Sequence, residues 1–151
     1  MIAFGTPYEM AANVGRDLGT SDWLVVDQGT IDAFAAATGD RQWIHVDVVR
    51  AATELPGGRT IAHGYLLLSL LPGLAAGIWR VEKRSRSLNY GLNKLRFTNP
   101  VPVNSRIRLR QKIASAEATG GGWRFVMENV LEVEGEGRPA LVAETISLMF
   151  E

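Results

Sequence analysis

The chain has 151 residues, 46% of them hydrophobic, with 16 basic and 16 acidic side chains and no cysteine. That length fits one ordinary domain, expected over residues 1–151, which can bury roughly two thirds of its unfolded surface. A net charge of zero lacks the electrostatic footprint of a nucleic-acid binder or of a protein held on anionic membrane, and the missing thiol excludes disulfides, thiolate metal sites and a cysteine nucleophile.

Residues 1–12 show neither a cationic start nor an apolar stretch of signal-peptide length, so a cytoplasmic location is expected. Residues 23–27 predict a short strand. Residues 30–39 (TIDAFAAATG) carry a helix signature: Thr30 as cap, Asp32 in the positively polarised first turn, Ile31, Phe34 and Ala35 on one face, and Gly39 as the stop. Asp40 then stands just past a helix end. A further turn or two of helix is expected within residues 47–53, followed by a loop at 55–59 (LPGGR). Residues 64–79 (GYLLLSLLPGLAAGIW) are apolar on nearly every face, which predicts a central helix surrounded by protein. Pro72 leaves the Leu68 carbonyl without its partner, so a kink or break is expected there. The apolar run is too short to cross a bilayer.

Beyond residue 86 the hydrophobic period changes to two. Leu88, Tyr90 and Leu92 hold even positions and Leu95 and Phe97 odd ones, which predicts a bulge near Asn93 and Lys94. Arg106, Arg108, Arg110 and Lys112 alternate with Ile107, Leu109 and Ile113, as a strand with one wet and one buried face requires. Residues 123–133 and 141–150 predict two more strands, with a hairpin turn at 120–122 and a loop (GEGRP) between them. Separate helix and strand runs argue for an α+β fold with one antiparallel sheet wrapped on the central helix, some other α+β sandwich being the alternative.

Several generic motifs fail. Residues 135–140 (GEGRPA) fit a G-x-G-x-x-A string, but a strand follows where a nucleotide fingerprint needs a helix. No G-x-S-x-G elbow occurs, and Ser69 sits in a leucine run. His45 and His63, the only histidines, make a zinc site unexpected in a chain without cysteine.

Segments 37–47 (ATGDRQWIHVD) and 60–71 (TIAHGYLLLSLL), with 89–108 (NYGLNKLRFTNPVPVNSRIR) downstream, closely resemble the signature of the MaoC-like, (R)-specific enoyl-CoA hydratase family. The likeness is greatest to its small single-domain members, including the nodulation protein N group. It implies a hot-dog fold, a homodimer whose sheets join edge to edge, and hydration of trans-2-enoyl-CoA to (R)-3-hydroxyacyl-CoA. Water is the cosubstrate, and no metal, nucleotide, flavin or other cofactor is implied.

By motif position the resemblance makes Asp40 the catalytic aspartate and His45 the catalytic histidine. Their spacing suits the chemistry, because irregular chain after a helix stop brings a carboxylate and an imidazole to one water, whereas on a continuous helix they diverge. The free N–H of Gly64, with a helix dipole behind it, suits an oxyanion donor. His63, at the helix entrance, is structural or touches substrate. Lys83, Arg84 and Arg86 form a solvated face or contact the coenzyme A phosphates. Two departures from the family pattern stand out: Gln42 and Trp43 replace Asn-Pro, and Pro72 stands where some members have a serine supporting the aspartate, leaving Ser69 or Asn89 as substitutes. The competing functions are a hot-dog acyl-CoA thioesterase and a non-catalytic acyl-thioester-binding subunit.

Overall fold

A computed structural model describes all 151 residues. In chain order the elements are β1 (Ile2–Phe4), α1 (Pro7–Ala11), β2 (Asp17–Thr20), β3 (Leu24–Val26), α2 (Gln28–Thr38), α3 (Trp43–Val46), α4 (Val48–Glu54), α5 (Gly64–Ala75), β4 (Trp79–Val81), β5 (Arg86–Phe97), β6 (Ser105–Thr119), β7 (Gly122–Val133) and β8 (Leu141–Phe150). Six strands form one antiparallel sheet in the order β2-β6-β7-β8-β5, with β3 also on β6, while β1 and β4 make a separate parallel pair.

The alternation in β6 sets the sheet's two faces. Ile107, Leu109 and Ile113 are fully buried, and Arg106 and Arg108 on the wet face pair with Glu134 just past β7 at 2.7 Å and with Glu132 on β7 at 2.6 Å. Against the dry face α5 lays Leu66, Leu67, Leu71, Leu74 and Ala75, which join Phe125, Met127, Leu131, Leu141 and Met149 in one cluster of 25 buried residues. This is the α+β hot-dog arrangement, a helix cradled by an antiparallel sheet. The β6–β7 turn rests on Gly120 and Gly121, both at positive φ, as the hairpin requires.

Several local expectations are corrected. Helix α2 begins at Gln28 and is capped by Asp27, not Thr30. The Asp27 carboxylate accepts from the Thr30 amide at 2.8 Å and its hydroxyl at 2.7 Å, and these bonds hold its pKa below the ordinary carboxylate value. Gly39 does end the helix, at φ 81°, a left-handed conformation that glycine adopts without strain. Helix α5 runs past Pro72 but stops at Ala75, and Trp79 belongs to β4. It is also not enclosed on every side: Tyr65, Ser69, Pro72 and Gly73 form an exposed face. In β5 the register shifts between Leu92 and Lys94, as expected of a bulge, with a second shift between Asn89 and Gly91. Leu95 of that strand packs against the core, whereas Leu88, Tyr90, Leu92 and Phe97 keep exposed surface, and β5 is an edge strand with no neighbour beyond it. No helix is long and apolar enough to cross a membrane.

Candidate active site

The left-handed Gly39 turns the chain out of α2, and Asp40 follows it in an exposed, irregular stretch. The four-residue helix α3 then carries His45 back into the protein. Without a proline, this turn is secured by side chains. Arg50 lies over the Trp43 ring at 4.0 Å, and Asp47 caps α4 by accepting from the Arg50 amide at 2.9 Å.

Gln28 ties three segments together. Its amide donates to the His45 carbonyl at 2.8 Å and to Asp32 at 2.9 Å, and its oxygen accepts from the Thr60 hydroxyl at 2.6 Å. Thr60 is buried, and the segment after it is pinned on both sides, Ile61 donating to the Ile44 carbonyl at 3.1 Å and Ala62 to the Val101 carbonyl at 2.8 Å. Sequence reasoning missed Gln28 and Thr60. Neither carries a local signal for the site, since the bonds that tie them to it, Gln28 to His45 and Thr60 to Gln28, span 17 and 32 residues.

His45 is buried, and its Nδ1 lies 2.7 Å from the Ile61 carbonyl. A carbonyl only accepts, so Nδ1 carries the proton and Nε2 of the neutral ring holds a lone pair. Burial lowers the His45 pKa from its ordinary 6.5; the Ile61 bond and the Asp40 carboxylate oppose this, and His63 adds to it. The ring is therefore neutral near pH 7 and fit to accept a proton.

An oxygen of the Asp40 carboxylate and one ring nitrogen each of His45 and His63 lie within 4.8 Å of one another. The two imidazoles are stacked, centroids 3.8 Å apart and planes inclined by 24°. Lone pairs lying in two such planes cannot meet at one ion, and His63 Nε2 is already 2.9 Å from the Asp40 carbonyl. The cluster therefore fits a water molecule better than a metal.

Gly64 opens α5, so its N–H has no acceptor within the helix and points with the dipole toward incoming negative charge. A Cβ there would lie 2.9 Å from the Phe97 ring. Phe97, edge-on to Tyr65 at 5.7 Å, thus roofs the helix start, and only glycine admits it this closely.

The other predicted residues lie apart from this cluster. Ser69 donates its hydroxyl to the Tyr65 carbonyl one turn back at 2.7 Å, and Asn89 sits on the exposed edge strand opposite Ser147. Lys83 and Arg84 are exposed in the β4–β5 turn, and Arg86, stacked over Phe150 at 4.2 Å, begins β5. Phe97 ends that strand, so the basic cluster lies at the opposite end of β5 from the residue that packs on Gly64, separated by at most about 36 Å of extended chain at about 3.3 Å per residue. Two prominent surface hollows, one at the β6–β7 hairpin beside Tyr8 and Trp123 and one across Lys94 and Glu144, touch none of the site residues.

With this geometry in place, the likenesses to known proteins are informative. Residues 9–129 match the family model described as MaoC like domain. The chain is 45% identical over 147 residues to "3-hydroxyacyl-thioester dehydratase Z" of Mycobacterium tuberculosis (strain ATCC 25618 / H37Rv), covering 97% of each protein. It is 43% identical over 143 residues to "Nodulation protein N" of Rhizobium leguminosarum bv. viciae, covering 93% of this chain and 89% of that one. Among solved structures, the R-hydratase PhaJ1 from Pseudomonas aeruginosa superposes with a TM-score of 0.77 at 23% identity, covering 98% of this chain and 87% of that one, a likeness of fold alone. The (R)-hydratase from A. caviae superposes with a TM-score of 0.70 at 25% identity, covering 89% and 94%. The chain belongs to the MaoC-like domain family.

Proposed function

We propose that the chain catalyses the reversible hydration of trans-2-enoyl-CoA to (R)-3-hydroxyacyl-CoA as a hydro-lyase, with Asp40 and His45 acting on one water. The observation that carries this reading is the convergence of the Asp40 carboxylate and a His45 ring nitrogen within 4.8 Å, beside the helix that Gly64 opens. The names of the relatives, a 3-hydroxyacyl-thioester dehydratase and an (R)-hydratase, support the same chemistry.

The steps follow from the groups present. His45 Nε2 takes a proton from water as its oxygen bonds to C3, while Asp40 accepts the water's second hydrogen bond and steadies the imidazolium. Charge passes to the thioester oxygen, where the Gly64 N–H meets it; removal of a donor in such a position typically costs about 3 to 4 kcal/mol. The imidazolium then returns its proton to C2. No redox change occurs, so the reaction needs water alone and no cofactor, and a cytoplasmic enzyme is the simplest setting for it.

Loss of crotonyl-CoA absorbance without thiol release tests this assignment. Thiol release from a saturated acyl-CoA would favour a thioesterase, and binding without either change a non-catalytic subunit. Because kcat/KM reports the free enzyme, its acid limb should follow the lowered His45 pKa. Hydration should rise with pH through a midpoint below 6.5, and a midpoint above 6.5 would argue against a neutral buried base.

The working form is a homodimer paired edge to edge through β5. Its outer edge is unpaired, and exposed Leu88, Tyr90, Leu92 and Phe97 would aggregate if left uncovered. Antiparallel pairing of two such edges brings the Arg86 end of one copy beside the Phe97 end of the other, a route by which the basic cluster reaches coenzyme A phosphates. Light scattering should give twice the chain mass of 16.5 kDa, and Tyr90→Lys should shift it toward the monomer.

A further inference from the structure

His63 occupies the N-cap position of α5 but makes no capping hydrogen bond there. Its side chain turns inward and is only 2% exposed. Three contacts surround it. Nε2 lies 2.9 Å from the Asp40 carbonyl, the ring stacks on His45 at 3.8 Å, and the Phe34 ring packs at 5.0 Å. Since the carbonyl only accepts, Nε2 is the protonated nitrogen of the neutral ring, and Nδ1 is buried without a partner. A buried imidazole is therefore committed through one nitrogen to the backbone of the carboxylate residue and through one face to the other half of the pair.

The remaining restraints on Asp40 are weak. Its amide donates to the Thr38 hydroxyl at 3.3 Å, and its carboxylate accepts from the Gln42 amide at 3.4 Å. Both bonds are long, and both stay within two residues in the chain. The His63 bond is shorter and comes from a residue 23 positions away, at the mouth of α5. It ties Asp40 to the helix whose first amide faces the substrate carbonyl.

We infer that His63 is the positioning residue of the pair: its Nε2–H fixes the Asp40 turn and its ring backs the His45 imidazole, so that both groups reach the same water, while His63 itself touches no substrate. This rests on the hydratase reading for its kinetic consequence, but not for its geometry. Asp40 is exposed and follows a helix end, so its turn can shift to bring the carbonyl to solvent if His63 is replaced. Loss of the donor should then loosen the carboxylate far more than it weakens the fold.

Two substitutions separate the donor from the ring. His63→Phe keeps an aromatic face of similar size and lacks the donor; His63→Gln lacks the ring and keeps an amide N–H that reaches the position of Nε2. With crotonyl-CoA, His63→Phe should lower kcat by about tenfold to a hundredfold, the range expected of a reacting group displaced by up to 1 Å, with KM within about twofold. His63→Gln should recover much of that loss. Unchanged kcat in His63→Phe, a change confined to KM, or equal losses in both variants that follow a fall in Tm would each overturn the proposal.

The wild-type protein supplies a test that needs no variant. With only two histidines, ring-nitrogen NMR resolves both. His63 should be protonated at Nε2 and His45 at Nδ1, and a His63 ring protonated at Nδ1 instead would overturn the assignment, since it could not donate to Asp40. If the wild type hydrates no enoyl-CoA, the functional reading fails on its own, while the tautomers still decide whether His63 holds Asp40.

Discussion

Asp40→Asn and His45→Ala are each expected to lower kcat for enoyl-CoA hydration by about a hundredfold or more, with the fold retained. Asp40 is exposed and asparagine has its shape, so circular dichroism and Tm should barely change. What is lost is charge. The carboxylate steadies the imidazolium formed when His45 takes the water proton, and an amide does this far less well. The same substitution removes an influence that raises the His45 pKa, so the residual acid limb should move to lower pH. His45→Ala removes the proton acceptor and also the ring stacked on His63, so its Tm should be measured beside its turnover. Combining the two changes should cost little more than either alone, because the residues act on one water as a unit. Full activity in either single variant would exclude the roles given to them.

Phe125→Ala is expected to cost about 3–5 kcal/mol, a large fraction of the 5–15 kcal/mol that holds most domains folded. Phe125 is fully buried in β7, within the 25-residue cluster under α5, so loss of its ring removes packing on every side and leaves a cavity. For a protein of this length that is a fall in Tm on the order of 10 °C, readable by calorimetry. A shift below about 2 °C would mean that the core relaxes around the cavity.

How much of this was legible in the sequence depended on whether the signal was local. The β6 alternation, the Gly39 stop and the Leu92–Lys94 bulge are written in neighbouring residues, and all three appear in the fold. Of the elements of three to five residues, too short for a periodicity to register, β3 was anticipated within residues 23–27, whereas β1, α1, β2 and β4 went unpredicted. Capping of α2 was misplaced because Asp27 and Thr30 are both good caps, and only the backbone geometry shows which one lies outside the helix. The exposure of Leu88, Tyr90, Leu92 and Phe97 on β5 left no mark in the sequence, because composition cannot say whether an apolar face belongs to the chain's own interior or to a surface awaiting a second copy.

The site divides the same way. Asp40 and His45 could be found because the segments that carry them resemble the family's motif, and Gly64 because it also opens a helix; local chemistry agreed with the roles of the pair without singling them out. The support for them could not: Gln28, Thr60 and the inward turn of His63 depend on contacts between residues far apart in sequence. Ser69 and Asn89 were attractive for their chemistry, yet the hydroxyl of one is taken by its own helix and the other sits on the sheet edge. Lys83, Arg84 and Arg86 show the limit of charge patterning, which finds a cluster but not the end of the strand on which it falls.

The most direct measurement is the hydration of crotonyl-CoA by the purified protein in D2O, with the product's configuration and deuterium content determined by NMR. A carboxylate and an imidazole sharing one water on one face of the substrate predict a single deuterium at C2, added syn to the new hydroxyl, and kinship with the (R)-hydratases predicts the 3R configuration. Anti addition, or free coenzyme A without any hydroxyacyl thioester, would contradict the shared-water arrangement, and a 3S product would contradict the (R)-specific assignment.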